Sequence, residues 1–278
     1  RKVYLPAGRW VNYHTGTWTE STGQWTGDIN IWSTGKLILP VYVRAGAILP
    51  LMAVDNQTKD AFGHRQDGTL NTDLILKVYP DSTASEFILW EDDGTTVLSY
   101  DPQTKRPNYL RRNTQLTQQL NEAGNRLTIG IAAVNGSLEV GPSERNNDIL
   151  VFTDSLSATE VRINGAALVH APSPAILENQ DAGWANLENG QIRIKTGVQK
   201  VSESKNIVIG LKPIKACPPD CDDIQRTIIF MKKETAPGET LFLRGGINHE
   251  QAAAGGIDCT AQNKRCAVPI SHRMLKND

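Results

Sequence analysis

Apolar and polar positions alternate along most of this chain in runs of about five residues, too short and too regularly interrupted to be helices. Leu74 to Tyr79 has the alternation of a half-buried strand. Arg126 to Ala133, Ile149 to Thr153, Ile192 to Lys195 and Ile207 to Leu211 are further short strands, and Val134 to Asn147, polar and glycine-rich, is a loop. In Val161 to Val169, V-R-I-N-G-A-A-L-V, the pair Asn164-Gly165 predicts a two-residue primed turn and therefore a hairpin. Phe87 to Glu91 and Val97 to Tyr100 flank Asp92-Asp93-Gly94 and predict a second hairpin, with the two aspartates as turn residues. No amphipathic stripe lasts four helical turns. The chain therefore reads as all-β: two consecutive antiparallel β-sandwich domains, 1–73 and 74–212, a linker at 213–226, and a small, incomplete-looking disulfide-containing β module at 227–278.

One stretch organises the first domain. Leu39 to Leu51, L-P-V-Y-V-R-A-G-A-I-L-P-L, is apolar and β-branched between Pro40 and Pro50. Proline fits the start of a strand or a sheet edge, so the bracket predicts two short strands with a bend at Ala45-Gly46, where Gly46 supplies the positive φ. Arg44 is the only charge there. A guanidinium amid so much apolar surface is expected to be buried against a carboxylate or a set of carbonyls.

Composition narrows the function. The 278 residues carry a net charge of -1 with 21% charged side chains, which gives no basic excess for nucleic acid or an anionic membrane. No apolar run approaches the roughly 20 residues of a membrane span. The chain opens at Arg1 in strand-like sequence and reads as a piece of something longer. All four cysteines, Cys217, Cys221, Cys259 and Cys266, fall in the last quarter, where the spacing suits a disulfide-stapled module better than zinc. Three pairings are open, with sequence neighbours the working choice, and the implied compartment is oxidising: extracellular or periplasmic.

Candidate chemistry is sparse. Tryptophans crowd the start of the chain at positions 10, 18, 25 and 32, and an exposed indole can stack on a sugar ring; Trp18 and Trp184 are the positions expected to do so. Glu91, Asp92 and Asp93 offer oxygens to calcium, but a calcium site takes six to eight and no second acidic cluster adjoins them, so Asp92 and Asp93 are weak metal candidates and no cofactor is expected. His249-Glu250 begins like a zinc-protease motif, yet Ala253 stands where its second histidine belongs. No nucleophile elbow or phosphate loop is present.

Four motifs in order add a resemblance. Y-L-P-A-G-R-W-V-N-Y-H-T-G at Tyr4 to Gly16, L-P-V-Y-V-R-A-G-A-I-L-P at Leu39 to Pro50, L-K-V-Y-P at Leu76 to Pro80 and L-W-E-D-D-G at Leu89 to Gly94 resemble the region after the catalytic barrel in glycoside hydrolase family 31. The resemblance implies a proximal C-terminal β-domain at 1–73 and a distal one at 74–212. It also implies an upstream (β/α)8 barrel in the same polypeptide, which would carry both catalytic aspartates of a retaining reaction on α-linked glucosides. No catalytic residue is then expected in this chain. T-L-F-L-R-G-G-I-N-H at Thr240 to His249 loosely resembles the opening strand of starch-binding modules, so an α-glucan or oligosaccharide is a further expected partner. The competing reading is a stand-alone carbohydrate-binding or structural β-sandwich.

Overall fold

The computed structural model describes residues 1–33, 35–60, 63–93, 103–104, 110–187 and 190–214. The chain divides into two units, Arg1–Ala216 and Cys217–Asp278, and the described residues all belong to the first. In chain order the elements are β1 (Tyr4–Leu5), β2 (Gly8–Asn12), β3 (Trp18–Ser21), β4 (Gln24–Trp25), β5 (Trp32–Ser33), β6 (Lys36–Leu37), β7 (Tyr42–Arg44) and β8 (Ile48–Met52). Then come β9 (Leu74–Val78), β10 (Ser85–Asp92), β11 (Arg111–Leu120), β12 (Arg126–Ile131), β13 (Asn135–Gly136), β14 (Glu144–Arg145) and β15 (Asn147–Phe152). The remainder are β16 (Leu156–Ile163), β17 (Ala166–Ala167), α1 (Pro174–Glu178), β18 (Ala182–Asn186), β19 (Gln191–Thr196), β20 (Gln199–Lys200) and β21 (Lys205–Pro213). The described residues are almost entirely β, as the pattern predicts.

Two large sheets face each other. One runs β10-β11-β12-β21-β16-β17, with β13 also on β11; the other runs β18-β19-β15-β9-β8. Their facing residues form a single core: Leu76, Val78, Ile149, Val151, Ile192 and Ile194 from one sheet meet Leu116, Leu127, Ile129, Val161, Ile207 and Ile209 from the other. That is the layered solution a sheet with one apolar face requires. Among the described strands of these sheets the pairing is antiparallel except between β9 and β15, which are parallel. Parallel neighbours need a long crossover, and here the intervening chain supplies β10 to β14 on the way.

The five-stranded sheet is covered on its other face too. Leu49, Leu150 and Phe152 pack with Val11 and Val43 of the small sheet β3-β2-β7, and Tyr79 stacks flat on Phe152 at 4.8 Å. Burial on both faces explains why β15 reads I-L-V-F without alternation. Pro50 is tolerated in β8 because β8 is the edge strand. Gly46 makes the bend between β7 and β8 at φ 89°, donating its N–H to the Tyr79 carbonyl at 2.7 Å and accepting from the Ser85 hydroxyl. Because β8 pairs with β9, one sheet spans residue 73.

Three elements depart from the expectations. β10 pairs with β11 in register from Ser85↔Gln118 to Asp92↔Arg111, so the partner of Phe87 to Glu91 is a strand of which the apolar pattern gave no sign; Val97 to Tyr100 and Gly94 lie outside the described residues. Every second residue of β11 is buried, but these include Arg112, Thr114 and Gln118, so polar residues occupy the core face. Within the expected loop 134–147, β13 and β14 make short pairings with β11 and β20. The short α1 is capped by Ser173, whose side chain accepts from the Ile176 N–H.

Candidate functional site

The N-terminal layer turns its apolar residues outward. The ribbon β1·β4 sets Tyr4 opposite Trp25, the rings edge to face at 5.6 Å, and the ribbon β5·β6 sets Trp32 opposite Leu37. Trp25 is 66% exposed, Leu39 65% and Trp32 58%, with Tyr4, Leu37, Ile38 and Val41 also open. Two-stranded ribbons are marginal in water without a surface to pack on. Seven large apolar side chains are thus exposed within the first 41 residues, more than scattered surface hydrophobics account for.

Beside this layer lies a cleft of about 280 Å³, lined by Arg9, Trp18, Pro80, Leu120, Asn125 and Asp154 among others. Arg9 from β2 sits over the Trp18 ring at 4.5 Å and pairs with Glu20 at 2.8 Å and Asp154 at 3.3 Å. The rest of Trp18 packs on the Val11–Val43 cluster. Its indole face is therefore occupied, which corrects the expectation that Trp18 is an open sugar platform. Ser155, beside Asp154, holds the left-handed conformation at φ 62°, and the Thr153 hydroxyl lies within hydrogen-bond reach of the carbonyls of Leu156 and Gly190, to one of which it donates.

Trp184 needs a larger correction. It is 4% exposed, belongs to the sandwich core and stacks against His170 at 4.2 Å, so it cannot meet a sugar. In the sequence it follows Gly183 in a polar stretch, and nothing local marks it as inward-facing. Arg44 moves the opposite way: it ends β7 exposed, and its guanidinium lies across Gly8, 3.7 Å from where a Cβ would stand. The strand stops there, so the side chain reaches solvent and needs no buried partner. Asn164 and Gly165 hold φ 49° and 85°, both positive as a primed turn requires, and Ile163 pairs directly with Ala166.

The acidic run at 91–93 divides. Glu91 points inward, where its carboxylate accepts from Arg112 at 3.0 Å and from Arg145. Arg112 is fully buried and also donates to the Pro142 carbonyl at 2.9 Å. Burial pulls the Glu91 carboxyl up, but the two guanidiniums outweigh it and hold the carboxyl below its ordinary range. Glu91 is thus engaged in an ion-pair cluster and is not free to join Asp92 and Asp93 around calcium. Among the described residues no group of three or more His, Cys, Asp or Glu is placed to hold a metal. No described helix is long and apolar enough to cross a membrane. The four cysteines and the His249-Glu250 pair lie outside the described residues.

Fold and surface together define a class: a β-sandwich scaffold with an apolar layer laid against one end of the chain. Residues 1–49 match the family model described as "Glycosyl hydrolase family 31 C-terminal domain". A 1,6-alpha-glucosyltransferase from Sporosarcina globispora is 26% identical over 212 residues, covering 75% of this chain and 15% of that protein. Among solved structures, the GH31 dextranase of Flavobacterium johnsoniae in complex with glucose superposes with a TM-score of 0.58 at 19% identity, over 76% of this chain and 24% of that one. The same enzyme has been solved with isomaltotriose, with the same coverage and score. This chain therefore spans a minor part of the relatives it matches.

Proposed function

We propose that this chain is the non-catalytic C-terminal portion of a family 31 enzyme acting on α-linked glucans, and that its N-terminal layer docks on a (β/α)8 barrel of the same polypeptide. The carrying observation is the outward-facing set Tyr4, Trp25, Trp32, Leu37 and Leu39, all inside the 49 residues that match the family model. A retaining glycosidase needs two carboxyl groups about 5 Å apart across the sugar. In this reading both belong to the barrel, and the sandwich 74–212 buttresses the layer 1–73 behind it. The names of the similar proteins, a 1,6-alpha-glucosyltransferase and a dextranase, support α-1,6-linked glucose as the substrate class. An extracellular or periplasmic site follows if Cys217, Cys221, Cys259 and Cys266 are oxidised, which a mass measurement under non-reducing conditions decides.

The test is association. A family 31 catalytic barrel prepared without its own C-terminal domains is titrated with this chain by calorimetry. Binding that is weakened at least about tenfold by Trp25→Ser together with Leu39→Ser is the expected result. A chain that remains a monodisperse monomer, binds no hydrophobic dye and shows no heat with the barrel overturns the reading. So does glucose release from an isomaltoside by the chain alone.

A further inference from the structure

Charge inside the sandwich is one-sided. Among the described residues the buried charged side chains are Arg112, Lys205 and Arg145, with 0%, 4% and 9% of their surface open, and all three are basic. They come from one end of the fold. Arg112 belongs to β11, Arg145 to the β14·β20 ribbon, where it lies across from Gln199, and Lys205 opens β21. The turn before β14 closes over Arg112: the Pro142 carbonyl accepts from Nη1 at 2.9 Å, and a Cβ on Gly141 would stand 2.6 Å from Nη2. Only glycine lets the backbone approach so closely, and its φ of 65° serves the same turn. Val201 donates to the Ser143 carbonyl and ties the turn to β20.

These cations are not matched by anions. Among the described residues Glu91 is the carboxylate that meets both guanidiniums: Oε2 accepts from Arg112 Nε at 3.0 Å and Oε1 from Arg145 Nη2. Lys205 donates to carbonyls, those of Lys200 and Glu203. Burial holds its ammonium below the ordinary range; the exposed Glu203 carboxylate works against that and Arg145 adds to it, so the fields of Lys205 and Arg145 overlap. One carboxylate between two buried guanidiniums leaves an excess of positive charge where an uncompensated ion is costly.

Two N–H groups of the same guanidiniums also go unanswered. Arg112 Nη2 and Arg145 Nε are buried and have no hydrogen-bond partner in the protein. Their side chains hold opposite oxygens of one carboxylate, so both donors flank Glu91. Buried donors are almost always satisfied. A water answers the hydrogen bonds and leaves the charge; an anion answers both. The close approach of the Gly141 turn favours a monatomic ion over a phosphate or sulfate.

We infer that the Arg112–Glu91–Arg145 cluster binds a halide, chloride under ordinary conditions, against Arg112 Nη2 and Arg145 Nε. The ion completes the interior charge and fastens the Gly141–Pro142 turn and the β14·β20 ribbon to the sandwich. The unfolded chain has no such site, so stability rises with chloride. The cluster lies outside the N-terminal layer, and a failed barrel titration leaves this site standing.

The 278-residue chain is melted in sodium chloride from about 1 mM to about 500 mM, with sodium gluconate holding the sodium concentration fixed so that screening is constant. Above the dissociation constant the midpoint is expected to rise by about 2–4 °C per tenfold chloride. Arg145→Met leaves Glu91 and Arg112 as a one-to-one pair and should flatten that slope. Arg162→Met removes an exposed charge from β16 and should keep it. A crystal grown in sodium bromide should show anomalous scattering beside Arg112 Nη2 or Arg145 Nε. The site is overturned if the parent and Arg145→Met respond alike to chloride, or if bromide is absent from the cluster, the donors then holding water only. Should Arg145→Met fail to fold, the bromide crystal decides alone.

Discussion

The sandwich and the N-terminal layer are made from the same material, short strands rich in tryptophan and β-branched residues, and they spend it in opposite directions. In the sandwich, Leu76, Val78, Ile149, Ile192, Ile207 and Ile209 are wholly enclosed between two sheets. Among the described residues of the layer, Leu5, Val11 and Val43 are buried, while Trp25, Trp32 and Leu39 look outward. At about 25 cal/mol per Å² of apolar area buried, the first arrangement stabilises the chain itself. The second leaves that free energy to be recovered against a partner. In the proposed reading stability resides in the sandwich and association in the layer, and the two kinds of tryptophan make the difference measurable.

Trp184→Ala should show the largest effect, because it empties a site in the enclosed core: a loss of about 3–5 kcal/mol. Trp25→Ala in the isolated chain should cost under about 0.5 kcal/mol, as exposed positions do. Urea unfolding of both variants measures the contrast. Equal destabilisation would mean that the layer is as self-sufficient as the sandwich.

Next in size is Glu91→Ala, which leaves Arg112 and Arg145 buried without their carboxylate and is expected to cost about 3–5 kcal/mol, at the lower end because Glu91 is partly open. The same cluster sets a pH dependence. The Glu91 carboxyl is held below its ordinary value of 4.5 in the folded chain, so the unfolded chain binds the proton more readily. Its contribution is therefore complete above about pH 4.5 and fades as pH falls through the depressed folded value. Unfolding midpoints measured across pH 3 to 6 should fall toward acid in the parent and less steeply in Glu91→Gln. A parallel fall in the two would remove Glu91 as the source.

Gly46→Ala sharpens the boundary between the regions, because Gly46 is the hinge where β7 of the layer becomes β8 of the sandwich. Its φ of 89° is a conformation that costs a side chain about 1–2 kcal/mol. Space is not the obstacle, since the nearest atom to an added Cβ would be Ser85 Oγ at 3.5 Å. A midpoint shift of that size is expected in urea, with Asn164→Ala in the sandwich hairpin, at φ 49°, as the comparison.

What the sequence made legible follows from how local each signal is. The Asn164-Gly165 turn, the Gly46 bend and the Leu74–Val78 strand depend on two to five neighbouring residues, and all could be read. β11 could not, because R-R-N-T-Q-L-T-Q-Q-L places Arg112 and Gln118 on its buried face, and their justification lies in partners 21 and 33 to 35 residues away. The tryptophans were the hardest: an indole looks the same in sequence whether it faces a sheet, an arginine or water. Trp184 reads as outward-facing and lies in the core; Trp90, inside the L-W-E-D-D-G motif, carries no mark of its facing and stands exposed. Facing is decided by tertiary pairing, which a single sequence does not display.

Tyr79→Phe probes the seam itself and should have the smallest effect. Tyr79 joins the two regions, stacked on Phe152 of the sandwich sheet and packed with Val11 and Val43 of the layer, and its hydroxyl is buried with no hydrogen-bond partner. Removing an unsatisfied buried hydroxyl while keeping the ring is expected to be neutral or to stabilise by up to about 1 kcal/mol. Alkali separates the parent from the variant. Burial, with a smaller contribution from Tyr13, pushes the Tyr79 hydroxyl from 10.0 up to about 12, so the unfolded chain loses its proton first. That contribution is present below pH 10 and is lost as pH rises toward 12. The parent should therefore weaken over that window more than Tyr79→Phe does. If the two chains weaken alike, the Tyr79 hydroxyl is already in contact with water, and the layer is not sealed against the sandwich at this point.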